Sequence, residues 1–265
     1  MLIIAENLNT SRKKIKPLVE EQNGPAIQEI AKSCEAAGAS YIDVNCGTFV
    51  TKEIELLSWM VDTVQDAVSI PVSVDTPSPE AAAAALAKCK GKPFLNSISG
   101  ESIRFEPYLE LVKEFKPKVV TLVLDDKGMP ETVEDRVANG TRMVETMTSA
   151  GVPPEDIYLD PLVYPISSDT KNGMILFETV KQFTERFPEV NTVCGLSNVS
   201  HGLPVRKIIN QAFQVMLITA GIKAAIINPL DKYHMALIYA TKALTDQDEY
   251  CMEYITAQRE GKLEV

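Results

Sequence analysis

Short apolar segments alternate with longer amphipathic segments along the whole chain, and this alternation occurs eight times. The segment 119–124, Val-Val-Thr-Leu-Val-Leu, is typical of a strand that is buried on both faces of a parallel sheet. The segment after it, about 132–150, has helical spacing and is followed by Gly151, a residue type that commonly ends a helix. Eight strand–helix units without a Pro-, Gly- or Ser-rich linker predict one (β/α)8 TIM barrel, which needs about 250 residues.

This pattern places residues 1–265 in a single barrel domain, with a polar helical tail from about residue 246. A doubly wound open sheet is the structural alternative. The turn after the first predicted strand contains no GxGxxG pattern, which counts against a dinucleotide-binding fold. The sequence also contains no P-loop pattern.

The charge and composition exclude several classes of partner. The net charge of -10 argues against binding to nucleic acid or to an anionic membrane. The chain opens without a signal-peptide pattern and has no apolar run of the roughly 18 residues that span a bilayer, so we expect a cytoplasmic protein. With five scattered cysteines, no CxxC pair and two histidines, we expect neither a disulfide framework nor a bound metal.

Polar side chains follow seven of the eight predicted strands. In (β/α)8 barrels the active site lies at the carboxyl ends of the strands. One Asp in such a place is more often a helix N-cap, but caps alone would supply mostly Ser and Thr. We therefore expect a polar site built from these strand ends: Glu6, Asn7, Asp43, Asn45, Asp75, Asn96, Asp160, Ser197, Asn198 and Asn228.

The residue types at these ends favour a flat ligand that is rich in nitrogen. A carboxylate accepts paired N–H donors, whereas Asn both donates and accepts, so Asp75, Asn96 and Asp160 suit a 2-amino-4-oxo heterocycle. A phosphorylated sugar would require a Gly-rich phosphate loop after the seventh and eighth strands, which is missing.

Three further positions have two interpretations each. Arg206 suits a ligand carboxylate, or is an arginine on a helix surface. His201 has a side chain that titrates near neutrality, although a single loop histidine is more often a hydrogen-bonded contact than a base. We interpret the pair Asp125-Asp126 as a solvated loop rather than a metal site.

Six short motifs follow one another along the chain. They are Met1-Leu-Ile-Ile-Ala-Glu-Asn-Leu-Asn9, Asp43-Val-Asn-Cys-Gly47, Val74-Asp-Thr76, Asn96-Ser97, Tyr158-Leu-Asp-Pro-Leu162 and Gly195-Leu-Ser-Asn-Val-Ser200. In these motifs the sequence resembles the methyltetrahydrofolate:corrinoid protein methyltransferases, whose barrel is related to dihydropteroate synthase and to the folate domain of cobalamin-dependent methionine synthase. The resemblance extends from residue 1 to at least residue 230.

The resemblance implies roles for particular residues. Asp75, Asn96 and Asp160 would hold the pterin ring, and Asn198 would be the catalytic residue that hydrogen-bonds to N5 of the folate. Position 201 is often Gln in such proteins, so His201 departs from the family pattern. The remaining expected folate contacts are Gly195, Ser197, His201 and Arg206, and the further contacts expected at the rim are Glu6, Asp43 and Asn45.

The resemblance also implies a reaction and a partner. A methyl group would move between the cobalt of a corrinoid protein and N5 of tetrahydrofolate, which is the substrate together with 5-methyltetrahydrofolate. The chain lacks the DxHxxG signature of cobalamin binding, so a separate corrinoid protein would dock over the barrel rim. The family resemblance further implies a homodimer.

The direction of transfer is open from the sequence. Cys46, His201 and the basic first loop favour transfer from methylcorrinoid to tetrahydrofolate in a demethylation pathway. Transfer from methyltetrahydrofolate to a corrinoid iron–sulfur protein in acetogenesis is the first alternative. A dihydropteroate synthase and a pterin-binding module without catalysis are the others.

Overall fold

Eight parallel strands form a closed barrel in which each strand pairs with the next and the first pairs with the eighth. The computed structural model describes residues 1–264, so Val265, the last residue of the predicted domain, lies outside it. The barrel confirms the predicted fold class. The strands are β1 (Leu2–Asn9), β2 (Tyr41–Asn45), β3 (Val72–Asp75), β4 (Phe94–Gly100), β5 (Lys118–Asp125), β6 (Ile157–Asp160), β7 (Asn191–Gly195) and β8 (Ala224–Ile227).

Helices connect consecutive strands and cover the outside of the barrel. Short 3-10 helices lie at Pro154–Asp156, Leu196–Ser200 and Glu249–Cys251. Among residues 1–264, no helix combines the length and apolarity needed to cross a bilayer. The α-helices are α1 (Lys16–Glu20), α2 (Gly24–Ala36), α3 (Glu53–Gln65), α4 (Pro79–Leu86), α5 (Ser102–Phe115), α6 (Val133–Ser149), α7 (Asn172–Arg186), α8 (Arg206–Ala220), α9 (Lys232–Leu244) and α10 (Met252–Arg259).

Aromatic rings fill the barrel interior at the amino-terminal ends of the strands. The ring of Phe94 packs edge-on against Tyr41 at 4.6 Å and against Tyr158 at 4.7 Å between centroids. These rings form one buried cluster with residues such as Ile4 and Val193. Because this end of the interior is packed with apolar side chains, a polar ligand can enter the barrel only from the carboxyl ends of the strands.

The first βα unit differs from the sequence-based expectation. The first strand was predicted to end near Glu6, but β1 continues to Asn9, with an irregular register against β2 between Ala5 and Leu8. The segment after it, expected to be a loop, contains α1, whose second residue is Pro17. Proline is favoured in the first turn of a helix because its missing N–H would be unsatisfied there in any case.

The prediction of a solvated loop at Asp125-Asp126 is confirmed for Asp126 and is wrong for Asp125, which is the last residue of β5. Asp125 is only 8% exposed and forms an ion pair with Arg142 of α6 at 2.9 Å. Asp126 is exposed and accepts a hydrogen bond from the backbone N–H of Ser102 at 2.9 Å. Both carboxylates therefore have structural partners.

Candidate active site

The register of three neighbouring strands aligns a row of polar side chains at the open end of the barrel. Asn45 of β2 pairs with Asp75 of β3, which pairs in turn with Asn96 of β4. The Nδ2 of Asn45 donates a hydrogen bond to Asp75 Oδ2 at 2.9 Å. All three side chains are half-buried, so they combine fixed positions with access from the rim.

Asp43 lies beneath this row rather than at the rim. It points to the same face of β2 as Asn45 because side chains alternate along a strand. Its Oδ1 accepts hydrogen bonds from Ser73 Oγ at 2.7 Å and from Asn96 Nδ2 at 3.4 Å. Burial, with the nearby charge of Asp75 as the second cause, raises the pKa of Asp43 well above its usual value. Asp43 therefore supports the row above it through its hydrogen bond from Asn96.

Two carboxyl groups at the open end titrate near neutrality. Burial raises the pKa of Asp75 to about 6, against the hydrogen bond from Asn45, which favours the ionised form. Burial raises the pKa of Asp160 at the end of β6 to about 7. The backbone N–H of Leu162 donates to Asp160 Oδ1 at 2.8 Å and stabilises the carboxylate. Acidification below pH 6 therefore protonates both groups and removes acceptor oxygens.

The predicted catalytic residue lies on the 3-10 turn that follows β7. The side chain of Asn198 is exposed, and its backbone C=O accepts a hydrogen bond from the N–H of His201 at 3.0 Å. A Cβ atom at Gly195 would meet no atom within 4 Å, so open space adjoins the end of the strand. A ligand can therefore approach the backbone closely at this point.

The guanidinium of Arg206 stabilises the 3-10 turn by hydrogen bonds. Its Nε donates to Ser200 Oγ at 3.0 Å, and its Nη2 donates to the backbone C=O of Ser197. The Ser200 hydroxyl donates in turn to Asn210 Oδ1 at 2.7 Å. His201 is exposed, and its C=O accepts a hydrogen bond from Ser167 Oγ at 2.7 Å.

A second group of polar residues lies between β1 and β8. The Nδ2 of Asn7 donates to Asn228 Oδ1 at 2.8 Å, while Asn7 Oδ1 is buried without a partner. Arg12 pairs with Glu6 at 2.6 Å. Burial raises the pKa of Glu6, and the charge of Arg12 opposes that rise. A cavity of about 160 Å³ is lined by Glu6, Arg12, Ser197, Lys207, Asn228, Asp231 and His234, among others.

The sequence-based reasoning missed two residues of this region. Ser73 alternates with Asp75 on one face of β3, and this i, i+2 spacing was a signal that could have identified it. Arg12 carried no such signal, since only the path of the first loop brings it to Glu6. Within residues 1–264, no three His, Cys, Asp or Glu side chains cluster closely enough to hold a metal ion.

The sequence matches the pterin binding enzyme family over residues 6–228. The chain belongs to this family. The matched range begins at Glu6 within β1 and ends at Asn228, the residue after β8, so it contains every strand end described above. The family membership predicted from the sequence motifs is thereby confirmed.

Two relatives illustrate the range of proteins that share this sequence pattern. The chain is 36% identical over 265 residues to the methylcorrinoid:tetrahydrofolate methyltransferase of Eubacterium limosum, covering 99% of this chain and 98% of the relative. It is 28% identical to the methionine synthase of Mycobacterium leprae, covering 86% of this chain but only 20% of that much longer protein.

Solved structures with the same fold are far more distant in sequence. The dihydropteroate synthase of Xanthomonas albilineans superposes with a TM-score of 0.69 at 17% identity, covering 92% of both chains. The Yersinia pestis dihydropteroate synthase gives a TM-score of 0.64 at 15% identity, covering 91% of this chain and 93% of the other. These similarities show a shared barrel fold.

Proposed function

We propose that the chain catalyses transfer of a methyl group from a methylated corrinoid protein to N5 of tetrahydrofolate. The observation that carries this proposal is the 36% identity, over 99% of the chain, to the Eubacterium limosum methylcorrinoid:tetrahydrofolate methyltransferase. The polar row at the open end supports it, because those side chains match the donors and acceptors of a pterin ring. Tetrahydrofolate is then a substrate, and the corrinoid arrives on a separate protein.

In this proposal three side chains bind the pterin. The carboxylates of Asp75 and Asp160 accept hydrogen bonds from ring N–H groups, and the carboxamide of Asn96 donates and accepts on one edge. Both carboxylates must be ionised for this role. Burial raises the pKa of Asp75, and the hydrogen bonds from the side chains of Asn45 and Asp43 oppose that rise and favour the ionised carboxylate.

The reaction is a nucleophilic displacement. The lone pair of N5 forms a bond to the methyl carbon while the cobalt–carbon bond breaks, its electron pair stays on cobalt, and the N5 proton is released to solvent. The oxygen of the Asn198 carboxamide accepts the N5–H, which holds the lone pair towards the methyl group and stabilises the positive charge that develops on nitrogen. In the reverse direction N5 of methyltetrahydrofolate first takes a proton from solvent, and the same carboxamide oxygen accepts that N5–H while the methyl group moves to cobalt(I).

The corrinoid protein is proposed to dock on an apolar rim surface. The methyl group must enter from the open end, since aromatic rings fill the other end of the barrel. In six of the eight βα units, the connection or the first turn of the following helix carries an exposed large apolar side chain. Such a concentration is typical of a protein-binding surface. The rim surface comprises Val50, Ile103, Met129, Met174, Val205 and Leu230.

We further propose that the protein is a homodimer in the cytoplasm. The proposed reaction requires no resident metal ion and no folate contact from the C-terminal tail. The C-terminal segment presents separate exposed apolar side chains, Tyr250 and Met252, which support a further protein contact. Sedimentation equilibrium of the purified protein tests this point. A mass equal to one chain at micromolar concentration contradicts the dimer.

Anaerobic spectroscopy tests the reaction. The protein is mixed with methylcob(III)alamin and tetrahydrofolate, and the loss of the methyl–cobalt spectrum is followed together with methyltetrahydrofolate formation. Equal amounts of cobalt(I) and methyltetrahydrofolate are expected. The same assay run from methyltetrahydrofolate and cob(I)alamin gives the ratio of rates in the two directions.

Two outcomes would contradict methyl transfer. Folate binding without transfer in either direction indicates a pterin-binding module. Formation of dihydropteroate from a pterin pyrophosphate and p-aminobenzoate indicates a synthase.

A further inference from the structure

Helix α6 carries an arginine that is completely buried and has no ionic partner. Arg136 is 0% exposed. Its Nε and Nη1 make no hydrogen bond, and no carboxylate among residues 1–264 lies within 4.0 Å of its guanidinium. An unpaired buried charge raises the free energy of the folded state. Such a charge therefore indicates a functional role or a compensating group nearby.

The guanidinium of Arg136 contacts the segment 160–168, which follows β6. It stacks on the ring of Tyr164 at 4.5 Å from the centroid, and its Nη2 donates to the C=O of Leu162 at 3.5 Å. Leu162 has a left-handed backbone with φ of 66°, a conformation that is unfavourable for a residue with a side chain. The backbone at Leu162 is therefore held between Arg136 on one side and Asp160 on the other.

The same segment connects Asp160 with the turn that carries Asn198. The hydroxyl of Tyr164 donates to the C=O of Pro130 at 2.9 Å, which ties the segment to the β5–α6 connection. The N–H of Ile166 donates to the C=O of Val199 at 2.9 Å. Tyr164 therefore lies in a hydrogen-bonded segment between Asp160 and the 3-10 turn.

Few charged groups act on the Asp160 carboxyl from the surrounding elements. Arg136 from α6 favours its ionised form. The buried thiol of Cys194 on β7 faces it as a neutral group, since burial, followed by the charge of Asp160, raises the thiol pKa well above its usual value. Burial lowers the pKa of Arg136, and the neighbouring Tyr164 and Asp135 oppose that change. Arg136 is the one cation of this set.

We propose that Arg136 is a positioning residue for the pterin site, which holds segment 160–168 in place and favours the ionised form of Asp160 that accepts pterin N–H groups. This rests on the proposed pterin role of Asp160. The charge of Arg136 is not compensated by a salt bridge, and it favours the ionised form of Asp160. The electrostatic field of Arg136 at Asp160 is therefore present before the substrate binds.

The test compares three variants with the unaltered protein. Arg136→Met removes the charge and keeps an unbranched apolar chain, and such replacements of buried charges are often tolerated by the fold. Arg136→Lys restores the charge without the planar stack. Arg142→Met removes a charge from the same helix, where it pairs with Asp125, and serves as the matched control. The pKa of Asp160 is read by carboxyl ¹³C NMR in the unliganded protein, with Asp160→Asn for assignment.

We expect Arg136→Met to raise the pKa of Asp160 from about 7 by about 1. The dissociation constant for tetrahydrofolate then rises about fivefold at pH 7 and returns to the unaltered value at pH 9, where the carboxyl ionises in both proteins. Arg136→Lys and Arg142→Met leave the Asp160 pKa close to that of the unaltered protein. Thermal unfolding curves verify that all variants are folded.

An unchanged Asp160 pKa in Arg136→Met, or folate binding that weakens equally at every pH, would overturn the proposal and leave Arg136 with a packing role. The NMR titration does not depend on methyl transfer. If the unaltered protein transfers no methyl group, the proposed function fails while the titration still decides the electrostatic role of Arg136.

Discussion

Asp160 illustrates how a site residue is held in an unfavourable state by the fold. Its folded pKa of about 7 lies above the usual value of about 4 for an aspartate, so the folded protein binds this proton more tightly than the unfolded chain. The stability that the proton provides is fully present below pH 4 and is lost as the pH rises through 7. The ionised carboxylate therefore destabilises the protein at the pH where it binds its ligand.

Replacement of the Asp160 carboxyl by an amide tests whether the ionised carboxylate destabilises the protein. We predict that Asp160→Asn raises the free energy of unfolding at pH 8 by on the order of 1–4 kcal/mol, because the amide avoids the cost of a buried charge. Its Oδ1 still accepts from Leu162. The gain disappears near pH 4, and tetrahydrofolate binding weakens at pH 8. Urea unfolding at both pH values measures the difference, and a gain that is independent of pH contradicts the assignment.

Asn198 is the residue that most directly tests the proposed chemistry. We predict that Asn198→Ala lowers kcat for methyl transfer about 10–1000-fold, as expected for loss of one hydrogen bond to the transition state. The side chain is exposed, so the melting temperature should change little. Asn191→Ala, at the opposite end of the same strand, is the matched control and should retain full turnover. Unchanged turnover in Asn198→Ala would remove this residue from the mechanism.

At the scale of elements, the packing of α6 against α7 depends on one glycine. A Cβ atom at Gly140 would lie 2.5 Å from Cε1 of Phe183, whose side chain is 1% exposed and cannot move aside freely. The two helices therefore approach each other more closely at this point than an alanine would permit. This contact also fixes the helix that carries Arg136.

Gly140→Ala should destabilise the protein. We predict a loss of about 1–3 kcal/mol in the free energy of unfolding, because overpacking outweighs the roughly 1 kcal/mol that alanine gains in helix propensity. Gly173→Ala in α7 is the control, since its new Cβ would meet Ile166 at an ordinary 3.7 Å and should stabilise by up to about 1 kcal/mol. Chemical denaturation measures the free energy of unfolding of both variants. Equal changes in Gly140→Ala and Gly173→Ala would contradict the packing argument.

At the scale of the whole molecule, substitutions on the rim surface distinguish binding of the corrinoid protein from methyl transfer itself. Ile103 is 84% exposed and Leu230 is 45% exposed, on connections from opposite sides of the barrel. We predict that Ile103→Asp and Leu230→Asp raise KM for a methylated corrinoid protein about tenfold, roughly the 1–2 kcal/mol of one apolar interface contact. Turnover with free methylcobalamin should remain unchanged.

Leu244→Asp is the matched control for these variants. Leu244 is 85% exposed at the end of α9, away from the βα connections. It should leave KM for the corrinoid protein unaltered. If all three substitutions raise KM equally, net charge rather than the rim surface governs docking.

The number and order of the strands were predictable from the sequence. Each strand contains its own apolar run, and a change from apolar to polar residues marks the end of the run, as at Val74-Asp75 and Leu159-Asp160. Strand ends were less predictable, since the backbone pairing that extends β1 to Asn9 comes from its neighbour β2. The short helix α1 was missed because five residues give too little periodicity to detect.

The sequence by itself determined the barrel, the family and the side chains Asp75, Asn96, Asp160 and Asn198 as candidates, because strand-end positions and motifs are local properties of the chain. Only the tertiary structure decided how those side chains are supported. It placed Asp43 below the rim, aligned Asn45 with Asp75 through strand register, and buried Arg136 of α6 behind segment 160–168. The physical reason is that burial, charge and hydrogen-bond partners depend on residues far apart in sequence, which meet only when the barrel closes.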